Sequence, residues 1–153
     1  MIVEGTYNFP GPREVVWALL LDPEVLAKTM PGTTSIARVS DDRYEGKMGV
    51  GIGPITAAEF DVVITMTEKV IPETYQMQID GRGRFGFTRG KAAVKLTASG
   101  DSTVMHYQAD MMVGGKIAAV GQRLLDSVSR MMLKQGLEAM SAELDRRLGK
   151  DPA

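Results

Sequence analysis

At 153 residues, with 44% hydrophobic and 24% charged side chains, the chain has the size and make-up of one globular domain, spanning residues 1–150, with a sizeable core. A formal net charge of −1 argues against a nucleic-acid partner, and the lack of cysteine excludes disulfides and thiolate chemistry. No apolar run approaches the ~18 residues of a membrane span and no signal peptide is evident at the N-terminus, so a cytoplasmic protein is expected.

Residues 1–9 alternate, with Val3, Gly5, Tyr7 and Phe9 on one face and polar residues mainly on the other, as in a half-buried strand. Pro10-Gly11-Pro12 stops it, and a short helix over 13–20 can turn Val16, Trp17 and Leu20 inward. Asp22-Pro23 reads as an N-cap with proline in the first turn of a second short helix, which Met30-Pro31-Gly32 ends.

Strands dominate from 33 to 113. After an Asp41-Asp42 turn, Tyr44, Gly46, Met48 and Val50 share a face. The glycines of 49–54 lack the Gly-Lys-Ser/Thr ending of a phosphate loop and read instead as a tight strand connection. Phe60, Val62, Ile64 and Met66 continue the inward set. So do Tyr75, Met77 and Ile79 after the Ile71-Pro72-Glu73 turn, then Gly90, Ala92, Val94 and Leu96, and finally Met105, Tyr107, Ala109, Met111 and Val113. Between them, residues 81–87 place Phe85 and Phe87 among Gly81, Gly83 and Gly86, which reads either as a mobile gate or as a tight hairpin.

The last third, 116–148, is expected to form one helix of about 30 residues, ~45 Å long. Ile117, Val120, Leu124, Val128 and Met131 fall on one face of it; Leu137, Met140, Leu144 and Leu148 fall nearly opposite. A straight helix cannot bury both stripes on one flat sheet. Either it bends at Gly136, or Leu137, Met140 and Leu144 meet a second copy, a partner enzyme or a membrane, unless the short helices or strand ends cover them.

The sum is an α+β domain: two short helices after strand 1, a curved antiparallel sheet of about seven strands, and a long C-terminal helix covering its apolar face. Small inward residues such as Ala92 and Ala109 leave unfilled volume under such a helix. Strand parity and helical spacing give the expected lining: Tyr44, Met48, Phe60, Val62, Ile64, Met77, Ile79, Val94, Tyr107 and Met111, with Ile117, Val120, Leu124 and Val128 from the helix and Phe85 and Phe87 as gate. Eleven methionines suit a cavity of adaptable side chains or an irregular core. Arg82, Arg84, Arg89 and Lys91 would form a basic patch beside the gate, facing anionic headgroups, an acidic partner or simply solvent. No catalytic set is apparent: His106, the single histidine, takes the outward parity of its strand, as do Glu59 and Asp61, and nothing clusters as metal ligands.

Several stretches together carry a resemblance: 4–10 (EGTYNFP), Val16-Trp17 with Leu20 and Asp22-Pro23, Met30-Pro31-Gly32, 50–55 (VGIGPI), the 85–92 segment, and 113–126 with its GQRLLD ending. The chain resembles the CoxG family, proteins like the G-subunit of carbon monoxide dehydrogenase, within the helix-grip Bet v 1/START (SRPBCC) superfamily. The resemblance implies a non-catalytic accessory protein of a carbon monoxide dehydrogenase-type molybdenum hydroxylase, linking that enzyme peripherally to the inner face of the cell membrane. It further implies an apolar ligand in the grip cavity, a menaquinone-like quinone or other lipid, with no covalent cofactor. A protein-interaction or anchoring module with a side-chain-filled cavity is the competing reading, and a homodimer is one occupant of the second helical stripe.

Overall fold

In a computed structural model, which describes residues 1–149, the strand and short-helix elements lie where residue alternation and turn chemistry place them. Strand β1 (Ile2–Phe9) leads into α1 (Arg13–Leu21) and α2 (Pro23–Thr29). The Asp22 carboxylate accepts a hydrogen bond from the backbone N–H of Glu24, capping α2 with Pro23 in its first turn. The meander then runs β2 (Thr33–Ser40), β3 (Arg43–Ile52), β4 (Ile55–Val70), β5 (Thr74–Gly83), β6 (Gly86–Ser99) and β7 (Ser102–Gly114). All seven strands form one antiparallel sheet in the order β1-β7-β6-β5-β4-β3-β2. Register shifts in β2, in β4, and where β3 meets β4 bend these strands around the C-terminal helix. The expected domain end at residue 150 lies outside the described residues.

One expectation is corrected and one choice is decided. The helix does not begin at Lys116. Residues Lys116–Val120 form a separate 3-10 turn, and Gly121, with φ of 99°, breaks the chain before α3 (Gln122–Arg147). Of the two readings of the 81–87 segment the tight hairpin holds: Gly83 pairs with Gly86 across the two-residue turn Arg84-Phe85. The N–H of Ile117 donates to the carbonyl of Phe85 at 2.7 Å, which pins the hairpin tip to the 3-10 turn.

The interior divides in two. One cluster, built on Phe9, Val16, Trp17, Leu19, Tyr44, Leu96 and Leu144, joins α1, α2 and the far half of α3 to the sheet. The other, with Ile52, Ala58, Phe60, Ile117 and Leu125, sits under the near end of α3. Helix α3 packs against α1, α2, β1 and β3, so the fold surrounds more than one of its faces.

Candidate ligand cavity

Between α3 and the concave face of the sheet the structure leaves a partly enclosed cavity of about 270 Å³. Its sheet wall draws on all seven strands, mostly at alternate positions, including Val3 of β1, Ile36 of β2, Met48 of β3, Val62, Ile64 and Met66 of β4, Tyr75, Met77 and Ile79 of β5, Ala92 and Val94 of β6, and Met105, Tyr107 and Ala109 of β7. Leu20, Leu26 and Met30 close one side, and α3 contributes Leu133, Gly136, Leu137 and Met140. Six of the eleven methionines, Met30, Met48, Met66, Met77, Met105 and Met140, line this space. An unbranched thioether adapts to an irregular guest more readily than an aliphatic wall does. Lys47, a charged residue on the rim, is itself exposed.

Seven of the expected lining residues therefore stand on the cavity: Met48, Val62, Ile64, Met77, Ile79, Val94 and Tyr107. The rest do not. Tyr44 is fully buried in the larger core cluster, its hydroxyl donating to the carbonyl of Leu21 at the end of α1. Phe60, Phe85, Ile117, Val120, Leu124 and Val128 belong to the second cluster and do not line the cavity, although Val62 borders both. Met111 is half-buried against Gly90 on β7. Phe87 takes the outward parity of β6, where the guanidinium of Arg89 stands 5.4 Å from its ring, so neither aromatic of the hairpin borders the cavity as a gate.

The stripe expected to face outward is the one that faces in. Leu137, Met140 and Leu144 are 6%, 3% and 0% exposed within their own chain, so they form no contact surface. Gly136 explains the closeness: a Cβ there would stand 3.3 Å from the Met30 sulfur and 3.6 Å from Pro31, where the α2–β2 connection presses on α3. Nor do the four cations make a uniform patch. Asp61 lies opposite Arg82, Asp80 opposite Arg89, and Asp110 opposite Lys91, while Arg82 also reaches Asp80 at 3.3 Å; Arg84 sits apart in the hairpin turn. The broad groove on this outer face is open and of mixed charge, unlike the apolar cavity. Sequence reasoning missed Leu20, Leu26 and Met30, whose apolar spacing was visible, as cavity wall.

Two phenols are buried in this interior, as are the hydroxyls of Thr29 and Thr103, which donate to the carbonyls of Val25 and Gly11. Burial pushes the phenols of Tyr44 and Tyr75 above their ordinary value, so both stay protonated donors. At the outer end of α3, burial would raise Asp22, but the hydrogen bond and charge of Arg147 and the Glu24 N–H outweigh it and hold that carboxyl low.

The sequence profile of the CoxG family, the G-subunit of carbon monoxide dehydrogenase, matches residues 5–145. The chain belongs to the CoxG family. Among solved structures, this CoxG chain is similar to a conserved protein from Geobacillus kaustophilus, at 28% identity and a TM-score of 0.89, over 95% of this chain and 96% of that one. It also resembles a START superfamily protein from Mycobacterium smegmatis (16% identity, TM-score 0.69, 95% and 97% coverage). The Zhui aromatase/cyclase from Streptomyces sp. R1128 is a third (16%, TM-score 0.70, 97% and 95%). The last two show the fold alone, the Bet v 1/START-like helix grip. Among curated proteins nothing matches the sequence. In the CoxG chain His106 is exposed on the outer sheet face, opposite Thr6 and Lys95, away from the cavity. Among the described residues no three His, Asp or Glu stand close enough together to hold a metal ion.

Proposed function

We propose that this CoxG-family protein is a non-catalytic accessory carrier that binds one apolar molecule, a quinone or other lipid, in the grip cavity. In this reading it links a carbon monoxide dehydrogenase-type molybdenum hydroxylase to the membrane by peripheral contact. Among the described residues no helix is long and apolar enough to cross a bilayer. The family name supports the enzyme connection, and the single observation carrying the ligand is the cavity itself. About 270 Å³ of apolar, methionine-rich space under the helix favours a carrier over an anchoring module whose interior is filled by its own side chains. The homodimer loses its argument, because the stripe that suggested it is buried.

Ala92 and Ala109 face one another across β6 and β7, and both line the cavity. Replacing either with tryptophan should fill the space and abolish ligand binding while the domain still folds, because open volume accepts bulk that a filled core rejects. If both variants fail to fold, the interior is solid and the carrier reading falls.

A further inference from the structure

We infer that the tip of the β5–β6 hairpin and the 3-10 turn beside it form a second binding site, for a phosphate-bearing anion held by Arg82, Arg84, Arg89 and Lys116. The site stands apart from the grip cavity. Its ligand is a soluble phosphate compound or a lipid headgroup of the same chemistry.

Four of the nine residues around this open concavity of about 450 Å³ are cations, and none is a carboxylate. The set is not the one that sequence proximity suggests. Lys91 faces the neighbouring groove with Asp61, Asp80 and Asp110, while Lys116 joins from the 3-10 turn. A concavity lined by one sign of charge focuses the field inside it and concentrates the opposite ion there. Asp80 takes up part of that charge, 3.3 Å from Arg82 and opposite Arg89 in the ladder. Arg84 and Lys116 are exposed and form no ion pair among the described residues.

The other five positions fix the floor. A Cβ at Gly86 would run into the Gly114 carbonyl, and one at Gly115 would stand 2.6 Å from the Gly86 Cα, so hairpin and 3-10 turn meet backbone to backbone. The bond from the Ile117 N–H to the Phe85 carbonyl locks that contact. The Phe87 ring lies against Gly114, where a Cβ would collide with it, and the Arg89 guanidinium stands 5.4 Å from the ring centroid. The cations therefore spring from a fixed backbone.

Charge and shape select phosphate. A phosphate monoester carries about −1.5 to −2 at neutral pH and three acceptor oxygens. Guanidinium forks take such oxygens two at a time, so three arginines and a lysine suit it better than a singly charged carboxylate.

The test titrates pyrophosphate and glutarate by calorimetry into the full-chain wild type, the double variant Arg84→Gln with Lys116→Gln, and Lys91→Gln. The same proteins are sedimented with phosphatidylcholine vesicles with and without phosphatidic acid. Pyrophosphate should bind the wild type at least about tenfold more tightly than glutarate. The double substitution should weaken it about tenfold, the worth of two exposed charge contacts, and Lys91→Gln should stay within about twofold. These side chains are exposed, so the urea midpoint should not move; if it falls, Arg84→Gln alone serves, with a loss of about threefold. Pyrophosphate binding alone assigns a soluble compound, and phosphatidic acid-dependent sedimentation that the double substitution abolishes assigns a headgroup; either supports the site. Binding of neither, glutarate as tight as pyrophosphate, or equal weakening by Lys91→Gln overturns it.

Discussion

Gly136 shows how one residue without a side chain sets the depth of a cavity. The glycine costs helix propensity, ~1 kcal/mol relative to alanine, and in return Met30 and Pro31 come close to α3. The nearest atom to an added Cβ is the Met30 sulfur, the end of a flexible side chain that borders open space. Gly136→Ala should therefore stabilise the fold by roughly 0.5–1 kcal/mol in urea unfolding. Gly136→Leu should instead wedge α2 from α3 and cost ~1–3 kcal/mol. Tyr44 and Tyr75 give a pH signature at the same scale. Both phenols sit above their ordinary value of 10.0 in the fold, so their contribution is complete below pH ~10. It is lost as pH rises beyond that, because the unfolded chain releases protons that the native one holds. Urea midpoints should fall between about pH 9 and 11 for this reason, and Tyr75→Phe should flatten the fall.

Among the elements, strand faces are legible because period-two alternation reports burial directly. Parity alone identifies Met48, Val62, Ile64, Met77, Ile79, Val94 and Tyr107 as cavity wall. It cannot say where along a strand the cavity ends, which is why Phe60 and Met111, correctly inward, lie outside it. The helix departs from its sequence pattern for two physical reasons. Helical phase does not carry through Gly121, whose backbone ends one turn before α3 begins. Nor is there a single buried stripe, because a helix gripped by a bent sheet, β1 and two short helices has burial on several sides. A Cβ added at Gly53, in the β3–β4 turn, would meet Leu124 on one side of the helix, and one added at Gly136 would meet Met30 on another. The Asp22 carboxylate is legible as a cap, but its second role, pairing with Arg147 at the end of α3, is tertiary. Asp22→Ala should remove both and cost ~1–2 kcal/mol, most of it from the cap. The pair's share should be present at neutral pH and be lost as pH falls through and below ~3.8, since the folded carboxyl is held low.

For the whole molecule, order of elements and motif spacing already point to the helix grip and the CoxG family, and both hold. What the chain encloses depends on how far the sheet bends around the helix, a sum of several register shifts that no local pattern announces. The carrier reading stands on that enclosed space. Its most direct test is solvent extraction and mass spectrometry of wild-type protein purified in parallel with Ala92→Trp. Up to about one apolar molecule per wild-type chain is expected, and none from a folded Ala92→Trp. Indistinguishable extracts from the two folded proteins would contradict the carrier reading.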